Sequence, residues 1–293
     1  MNVPILFIVF NRPDTTLKVF EIIKQIKPVK LYVSADGSRT EVPGEYEKSQ
    51  LVRQIVSNID WPCELKTQFH QHNLGCGLGP RSAFEWFFKH EENGIILEDD
   101  CLPDLSFFSF CEELLIKYES NKKILNISGC NLGYEHNGQN ESYFFSRYMN
   151  MWGWATWRDR MESIDFEMHD WKTSHFRKIK AIKLFKHQWF EWDLPYYKKW
   201  YYYWNKTVNA NPTWWDFQFI YSQLKSKRYS IFPAKNLIKN LGFDQQGTHT
   251  LNDQNPLADL KILELDFPLK HPVKIKPNAL FEKNYIKKIW FWH

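Results

Sequence analysis

Two hydrophobic periods alternate along the first half of the chain. Val3-Pro4-Ile5-Leu6-Phe7-Ile8-Val9-Phe10 is a nearly continuous apolar run, the pattern of a strand buried on both faces. Asn11-Arg12-Pro13-Asp14 ends it. Leu17, Phe20, Ile23 and Ile26 then recur at helical spacing and predict a helix over 15–26, with Thr15 and Thr16 near its cap. A second strand over 30–34 ends in Ala35-Asp36-Gly37-Ser38, and a helix over 45–58 and a strand over 64–70 follow. A glycine-rich loop over 73–80 leads into a helix carrying Ala83, Phe84, Phe87 and Phe88, with Pro80 at its first position. Ile95-Ile96-Leu97 is the next buried strand, followed by a helix over 104–119 and a strand over 124–128. This alternation predicts an α/β fold: a mostly parallel sheet, flanked by helices, with right-handed crossovers.

The rhythm stops there. Residues 131–170 read as loops and short strands, and 171–204 as a basic, aromatic segment. A last helix is predicted from Asn211-Pro212-Thr213 through Phe217, Ile220, Tyr221 and Leu224. With no repeat or low-complexity linker, the halves 1–130 and 131–293 are expected to share one compact unit.

Composition narrows the function classes. Of 293 residues, 43% are hydrophobic, enough for a sizeable core, and the net charge of +4 favours small anionic ligands or an anionic surface without requiring nucleic acid. The five cysteines show neither a CxxC pair nor zinc spacing, the usage of a cytosolic protein with reduced thiols. No stretch reaches the roughly 18 apolar residues that span a bilayer. The N-terminal run lacks the basic flank of a signal peptide, so a cytoplasmic location is expected. The outlier is aromatic content, 17%, concentrated after residue 140.

The candidate chemistry gathers at strand ends. Ile95-Ile96-Leu97 runs straight into Glu98-Asp99-Asp100. Three adjacent carboxylates cannot be buried unpaired, so they belong where the strand leaves the sheet, the edge at which open α/β sheets bind ligands. Clustered hard oxygens there suit Mn²⁺ or Mg²⁺ bridging a diphosphate; a solvated acidic turn is the plainer alternative. Arg12 and Asp36 also follow strands, placing charged groups on the same edge. Alone, a strand-end Asp is usually a turn residue; three convergent groups favour a nucleotide site. Gly75-Cys76-Gly77-Leu78-Gly79-Pro80-Arg81 matches neither GxGxxG nor a P-loop. Its amides could still approach phosphates at a helix N-terminus. Arg81 opposes the helix dipole there, which favours a phosphate contact over a purely structural place.

Two aromatic clusters suit a sugar. Trp214-Trp215-Asp216 puts a carboxylate in a first helical turn between indoles. It could take a proton from a sugar hydroxyl while the rings stack on the sugar, or simply cap a helix beside core tryptophans. Met151-Trp152-Gly153-Trp154 fits neither period, and Gly between two Trp suggests a loop that a ligand approaches closely. Core packing is the alternative for Trp152 and Trp154. His249, in Gly247-Thr248-His249-Thr250, is a candidate metal or phosphate ligand.

Pro4-Ile5-Leu6-Phe7-Ile8 through Arg12, Val33-Ser34-Ala35-Asp36-Gly37, Ile96-Leu97-Glu98-Asp99-Asp100, Trp152-Gly153-Trp154 and Trp215-Asp216, in this order, resemble the GT-A fold glycosyltransferases, of the type of the Golgi N-acetylglucosaminyltransferase that starts hybrid N-glycans and its bacterial relatives. The resemblance covers roughly residues 3–250. It implies that Glu98-Asp99-Asp100 is the DxD-type motif, with Asp100 on Mn²⁺ (or Mg²⁺), aided by His249. Glu98 and Asp99 would lie near ribose and donor sugar, with Arg12, Asp36 and Arg81 on base and phosphates. Asp216 would be the catalytic base, with Trp152, Trp154, Trp214 and Trp215 on the acceptor. The implied activity is inverting transfer from a nucleoside-diphosphate sugar, UDP-linked, to a glycan or lipid-linked acceptor in bacterial surface polysaccharide synthesis. A sugar nucleotidyltransferase or a non-catalytic carbohydrate-binding protein are the alternatives. The former usually carries a Gly-rich loop and a basic residue after its first strand, where this chain has Phe10-Asn11-Arg12-Pro13. Segment 171–204 has no counterpart in the family. Its interleaved Lys, Arg, Trp and Tyr suit an anionic membrane surface, giving an expected peripheral location on the inner face.

Overall fold

The computed structural model describes residues 1–136, 140–185, 194–209, 214–243 and 257–289. The three-residue apolar cores predicted for the first strands are buried without exception: Ile5-Leu6-Phe7, Leu31-Tyr32-Val33 and Ile95-Ile96-Leu97. They lie in β1 (Ile5–Val9), β2 (Lys30–Ala35) and β4 (Asn93–Glu98), which with β3 (Glu64–Phe69) form a parallel block in the order β3-β2-β1-β4. Residues apolar on both faces need cover on both faces. Helices α1 (Pro13–Ile26) and α2 (Glu45–Ser57) pack beside each other, and α4 (Leu105–Lys117) joins α1. Helix α3 (Gly75–Phe88) carries the return crossover from β3 to β4, which right-handedness puts on the other face.

The second half does not form an appendage. Strands β6 (Ile124–Ser128), β7 (Tyr143–Ser146), β8 (Trp154–Trp157) and β9 (Tyr229–Pro233) extend the same sheet to eight strands, β3-β2-β1-β4-β8-β6-β9-β7. β8 runs antiparallel between β4 and β6, β9 is parallel to β6, and β7 closes the edge antiparallel. A Rossmann-like, mostly parallel α/β sheet is thus completed by β6, expected over 124–128, by β7 and β8 within the stretch 131–170 read above as loops and short strands, and by β9, which the sequence reading did not single out. The bounds of β8 were not given by the sequence because Trp154-Ala155-Thr156-Trp157 is fully buried and so shows no alternation. A two-stranded ribbon pairs β5 (Cys101–Pro103) with β10 (Ile238–Asn240).

Two helix starts also differ from expectation. α3 begins at Gly75, so Pro80 is its sixth residue and not its first. α9 (Asp216–Ser226) begins at Asp216; residues 210–213 lie outside the described residues. The remaining helices are α5 (Arg158–Glu162), α6 (His169–Lys172), α7 (Arg177–Leu184), α8 (Leu194–Asn209) and the C-terminal α10 (Ala279–Ile289). No helix among the described residues is long and apolar enough to cross a membrane.

The aromatic excess is mostly core. Trp154, with no exposed surface, stacks on Trp215 (5.9 Å between centroids) and meets Phe84 and Phe219 edge-on. A second cluster joins α6, α8 and α9: Trp204 lies 5.3 Å from Trp171 and 5.2 Å from Tyr221, and its indole N–H donates to the Phe217 carbonyl at 3.1 Å. Trp154 is therefore a packing residue and cannot meet an acceptor. Trp154→Ala should cost about 3–5 kcal/mol through lost contacts and a residual cavity, read as a lowered urea midpoint with an unchanged m-value.

Candidate functional site

Strand register sets the site. Val9 pairs with Ala35 and Ile8 with Glu98, so β1, β2 and β4 finish level and Phe10, Asp36 and Asp99 emerge side by side. β1 is the switch point: its neighbours β2 and β4 are reached by crossovers of opposite direction. Ligand crevices of doubly wound sheets open there. A cavity of about 420 Å³ occupies this position. Glu98, Asp99 and Asp100, Gly75, Cys76 and Gly79 of α3, and Trp152, Trp214, Trp215 and Asp216 line it.

Arg12 organises the acids. Its Nη1 donates to Asp100 Oδ2 at 3.0 Å and its Nη2 pairs with Asp99. Asp99, 2% exposed, also accepts the Phe10 N–H at 3.2 Å. Burial disfavours the charge on Arg12, but attraction to Asp99 and Asp100 outweighs it and holds the guanidinium firmly protonated. The expected ligand groups Arg12 and Asp99 are thus engaged with each other, tying the end of β1 to the end of β4. Glu98 differs. Among the described residues it accepts no hydrogen bond, and burial, reinforced by Asp100 and Asp99 against the opposing Arg12, pushes its carboxyl up to about 8. Burial also raises Asp99, less far because Arg12 and the Phe10 N–H favour its ionised form.

Asp36 has a structural task. Its two oxygens accept from the Gly37, Leu74 and Gly75 N–H groups at 2.8, 2.8 and 2.9 Å and from Asn73 Nδ2 at 3.1 Å. Four donors fill a carboxylate, so Asp36 caps α3 from across the sheet edge. Of the amides expected at a phosphate, that of Gly75 is already taken. The fit leaves no room at Gly37, where a Cβ would lie 2.4 Å from the His72 carbonyl carbon. Arg81 is not on the cavity wall. It pairs with Glu85 at 3.0 Å and with Glu167, an outcome its place in the sequence did not reveal because Glu167 is remote in the chain.

Asp216 stands at the N-terminus of α9, where the dipole favours its charged form, and its Oδ1 accepts the Phe217 N–H at 2.9 Å. Burial outweighs these effects and pushes its carboxyl up to about 6. Glu98 and Asp216, 118 positions apart in sequence, lie close enough for Asp216 to raise Glu98. Trp214 is positioned by its indole N–H, which donates to Thr207 Oγ1 at 2.7 Å. Trp152 faces the cavity because Gly153 takes a positive φ (+58°) and turns the chain before β8. His249 lies outside the described residues.

The sequence reading missed several cavity residues. The ribbon strand β10 delivers Asn240, and Gly242 follows it beside Asp100. The Leu241 N–H donates to the Asp100 carbonyl at 2.7 Å, and a Cβ at Gly242 would lie 2.5 Å from Asp100 Oδ2. Phe10, Arg39 and His70 line the end beneath β2 and β3. Arg39 is held by Glu45 and lies 5.8 Å over the Phe10 ring. His70 Nε2 is buried without a partner. Only the Asn-x-Gly turn at 240–242 was legible in advance.

The donor set bears on the implied metal. No group of three or more His, Cys, Asp or Glu among the described residues has metal-ligand geometry. A closed protein cage is thus not what these residues build. Three carboxylates against one guanidinium leave uncompensated negative charge. Hard oxygens on Glu98 and Asp100 fit a Mn²⁺ or Mg²⁺ that takes its other ligands from phosphates and water.

No family model and no curated protein matches the chain. Among solved structures, apo UDP-glucose pyrophosphorylase is similar at 9% identity, covering 80% of this chain and 90% of its own, with a TM-score of 0.39. UDP-glucose pyrophosphorylase complexed with UDP-glucose is 11% identical over 56% of this chain and 79% of its own (TM-score 0.33). HddC from Yersinia pseudotuberculosis is 11% identical over 54% and 77% (TM-score 0.30).

The raised Asp216 carboxyl makes a stability prediction. Its folded pKa of about 6 lies above the ordinary value, so ionisation weakens folding progressively as pH rises from about 4 to 6. Asp216→Asn should be more stable than the parent above pH 6, by about 1–2 kcal/mol given its half-buried place on the cavity lining. The gain should vanish below about pH 4. Urea titrations at the two pH values measure it.

Proposed function

We propose that the protein is an inverting, metal-assisted glycosyltransferase that uses a nucleoside-diphosphate sugar, UDP-linked in the first instance. The observation that carries this reading is the juxtaposition of two carboxylates with different tasks. Glu98 accepts no hydrogen bond among the described residues, and Asp216, tuned to about 6, lines the same cavity beside Trp214 and Trp215.

In this reading the nucleotide lies along the carboxyl ends of β1 and β2. Phe10 and Arg39 offer stacking surfaces for a base, and His70 Nε2 offers an unsatisfied polar atom. The chain has little positive charge to give a diphosphate, because Arg12 is engaged by Asp99 and Asp100. Glu98 and Asp100 are therefore the residues that would hold a divalent cation, whose chemistry when bound is to take up charge on the leaving diphosphate. Trp214 and Trp152 orient an acceptor sugar by its C–H faces. Asp216 accepts the proton of the acceptor hydroxyl as that oxygen bonds to the anomeric carbon. The bond from that carbon to the diphosphate oxygen breaks on the opposite side, and the configuration inverts. A base of pKa near 6 is ionised at neutral pH yet still basic enough to help.

Sugar nucleotidyl transfer is the second reading, and two of the three similar structures are UDP-glucose pyrophosphorylases. It has no task for Asp216. The first basic residue after β1, Arg12, is also committed to the acids and not free for a triphosphate.

Calorimetric titration of UDP should give Mn²⁺-dependent binding that weakens about 10–100-fold in Glu98→Gln or Asp100→Ala. UDP binding unchanged in both variants would remove the acids from the site. Turnover of UDP-sugars with saccharide acceptors should rise tenfold per pH unit up to about pH 6 and then level. Asp216→Asn should lower it about 10²–10⁴-fold with donor affinity retained. Pyrophosphate release from UTP and a sugar 1-phosphate, undiminished in Asp216→Asn, would establish the second reading instead.

A further inference from the structure

Arg12 ties the end of β1 to the end of β4. On the other side of β1, a carboxylate does the corresponding work. Glu45 is the first residue of α2 and is 2% exposed. Its Oε2 accepts the Arg39 backbone N–H at 2.7 Å and Arg39 Nε at 3.1 Å. Its Oε1 accepts Arg39 Nη2 and, at 2.8 Å, Asn11 Nδ2. Four donors fill the carboxylate. Burial alone would raise it, but the contacts from Arg39 outweigh burial and hold it below the usual carboxylate range. One acid thus joins the link after β1, through Asn11, to the loop after β2, through Arg39.

A buried ion pair adds little stability over apolar packing, so its consequence lies in where it holds the guanidinium. Arg39 lines the cavity, its side chain is 46% exposed, and its Cζ lies 5.8 Å from the centroid of the Phe10 ring. Arg12 and Arg39 are the two Arg or Lys residues among those lining the cavity. Both terminal nitrogens of Arg12 are bound to acids. Arg39 gives Nε and Nη2 to Glu45 and, among the described residues, leaves Nη1 without a partner. A guanidinium already fixed by two bonds has little freedom left to lose when it meets a ligand.

We infer that Glu45 is a positioning residue for donor binding: it touches no substrate and holds Arg39 so that Nη1 donates to an oxygen of the donor's nucleoside. The inference rests on the reading of the cavity as a nucleoside-diphosphate sugar site. Sheet order assigns Arg39 to the nucleoside and not to the diphosphate. β2 and β4 flank β1 on opposite sides. Glu98 and Asp100, the residues that would hold a cation and with it the diphosphate, are at the β4 end, and Arg39 follows β2. Asn11, bound to the same carboxylate, fixes the link that carries Phe10, so the ring and the guanidinium are set as one unit.

The test is a double-mutant cycle on UDP affinity, measured by calorimetry with and without Mn²⁺ in Glu45→Gln, Arg39→Ala and the double variant. Each single change should weaken UDP about tenfold, the effect of losing one hydrogen bond from a charged donor. The double variant should bind no more weakly than Arg39→Ala. In Glu45→Gln the factor by which Mn²⁺ tightens UDP should match the parent, and turnover should show a raised donor KM with kcat retained at saturating donor. UDP affinity unchanged in Glu45→Gln overturns the inference. So do losses that add in the double variant, or a Mn²⁺ factor that falls along with UDP affinity, because Glu45 would then act on the fold at large. The double variant leaves no lone buried ion. If Glu45→Gln does not fold, the double variant is compared with Arg39→Ala: equal affinities support the inference and unequal ones overturn it. A parent that binds no UDP, with or without Mn²⁺, removes the nucleotide reading and this inference with it. A parent that binds UDP keeps that reading whatever the variants do.

Discussion

One guanidinium holds the ends of two strands together. Arg12 leaves β1 and reaches both Asp99 and Asp100 at the end of β4, across the point where the sheet reverses its winding. Without it, three successive carboxylates would face one another in a half-buried cleft, and the cheapest escape would be protonation or splaying of the strand ends. With it, two of the three are ordered and one is not neutralised. Burial raises Glu98, and the two neighbouring acids that one cation cannot fully offset reinforce it. A site built this way attracts a further cation by its own electrostatics.

The same constraint explains why Asp36, the other strand-end acid, is not part of that imbalance. Its four donors come from the start of α3 and its own turn, so its charge is dispersed over a helix N-terminus. Two acidic groups on one sheet edge thus have opposite fates. Asp36 fixes the glycine-rich wall and needs nothing more; Glu98 remains available. Residue type alone could not separate them, because the difference lies in which amides come within reach once the chain has turned.

Where buried apolar runs were short and bounded, the fold was legible. β1, β2 and β4 and the helices between them follow from composition and period, because each is a local decision reinforced by its crossover. The bounds of β8, among the short strands expected in 131–170, were not legible, since its four residues are buried between β4 and β6, and a uniformly buried tetrapeptide carries no period. The start of α3 was misread for a related reason: Pro80 is a familiar first-turn residue, but Asp36 supplies the cap five residues earlier from another strand. In the site, the clustering of acids was legible, and their division of labour was not. Trp152 and Trp154 show the limit most sharply. They are two residues apart, yet the positive φ of Gly153 sends one to the cavity and the other to the core.

The aromatic excess then has a mechanical meaning. Asp216 is the first residue of α9, and a carboxylate at a helix end is only as well placed as the helix. α9 is held from below by Trp154 and Trp215 and from above by α8, through Trp204 on the Phe217 carbonyl and Tyr203 stacked on Phe217 at 4.5 Å. Rings fill such a space with few rotatable bonds and little lost entropy. A layer built of them transmits position: α6 and α7 are clipped to α8 through Arg177, α8 sets Trp214, and α9 sets Asp216. The basic, aromatic segment 171–204 therefore acts mainly as a stiff support. Trp152 and Trp214 line the cavity, and Tyr202 is exposed on α8.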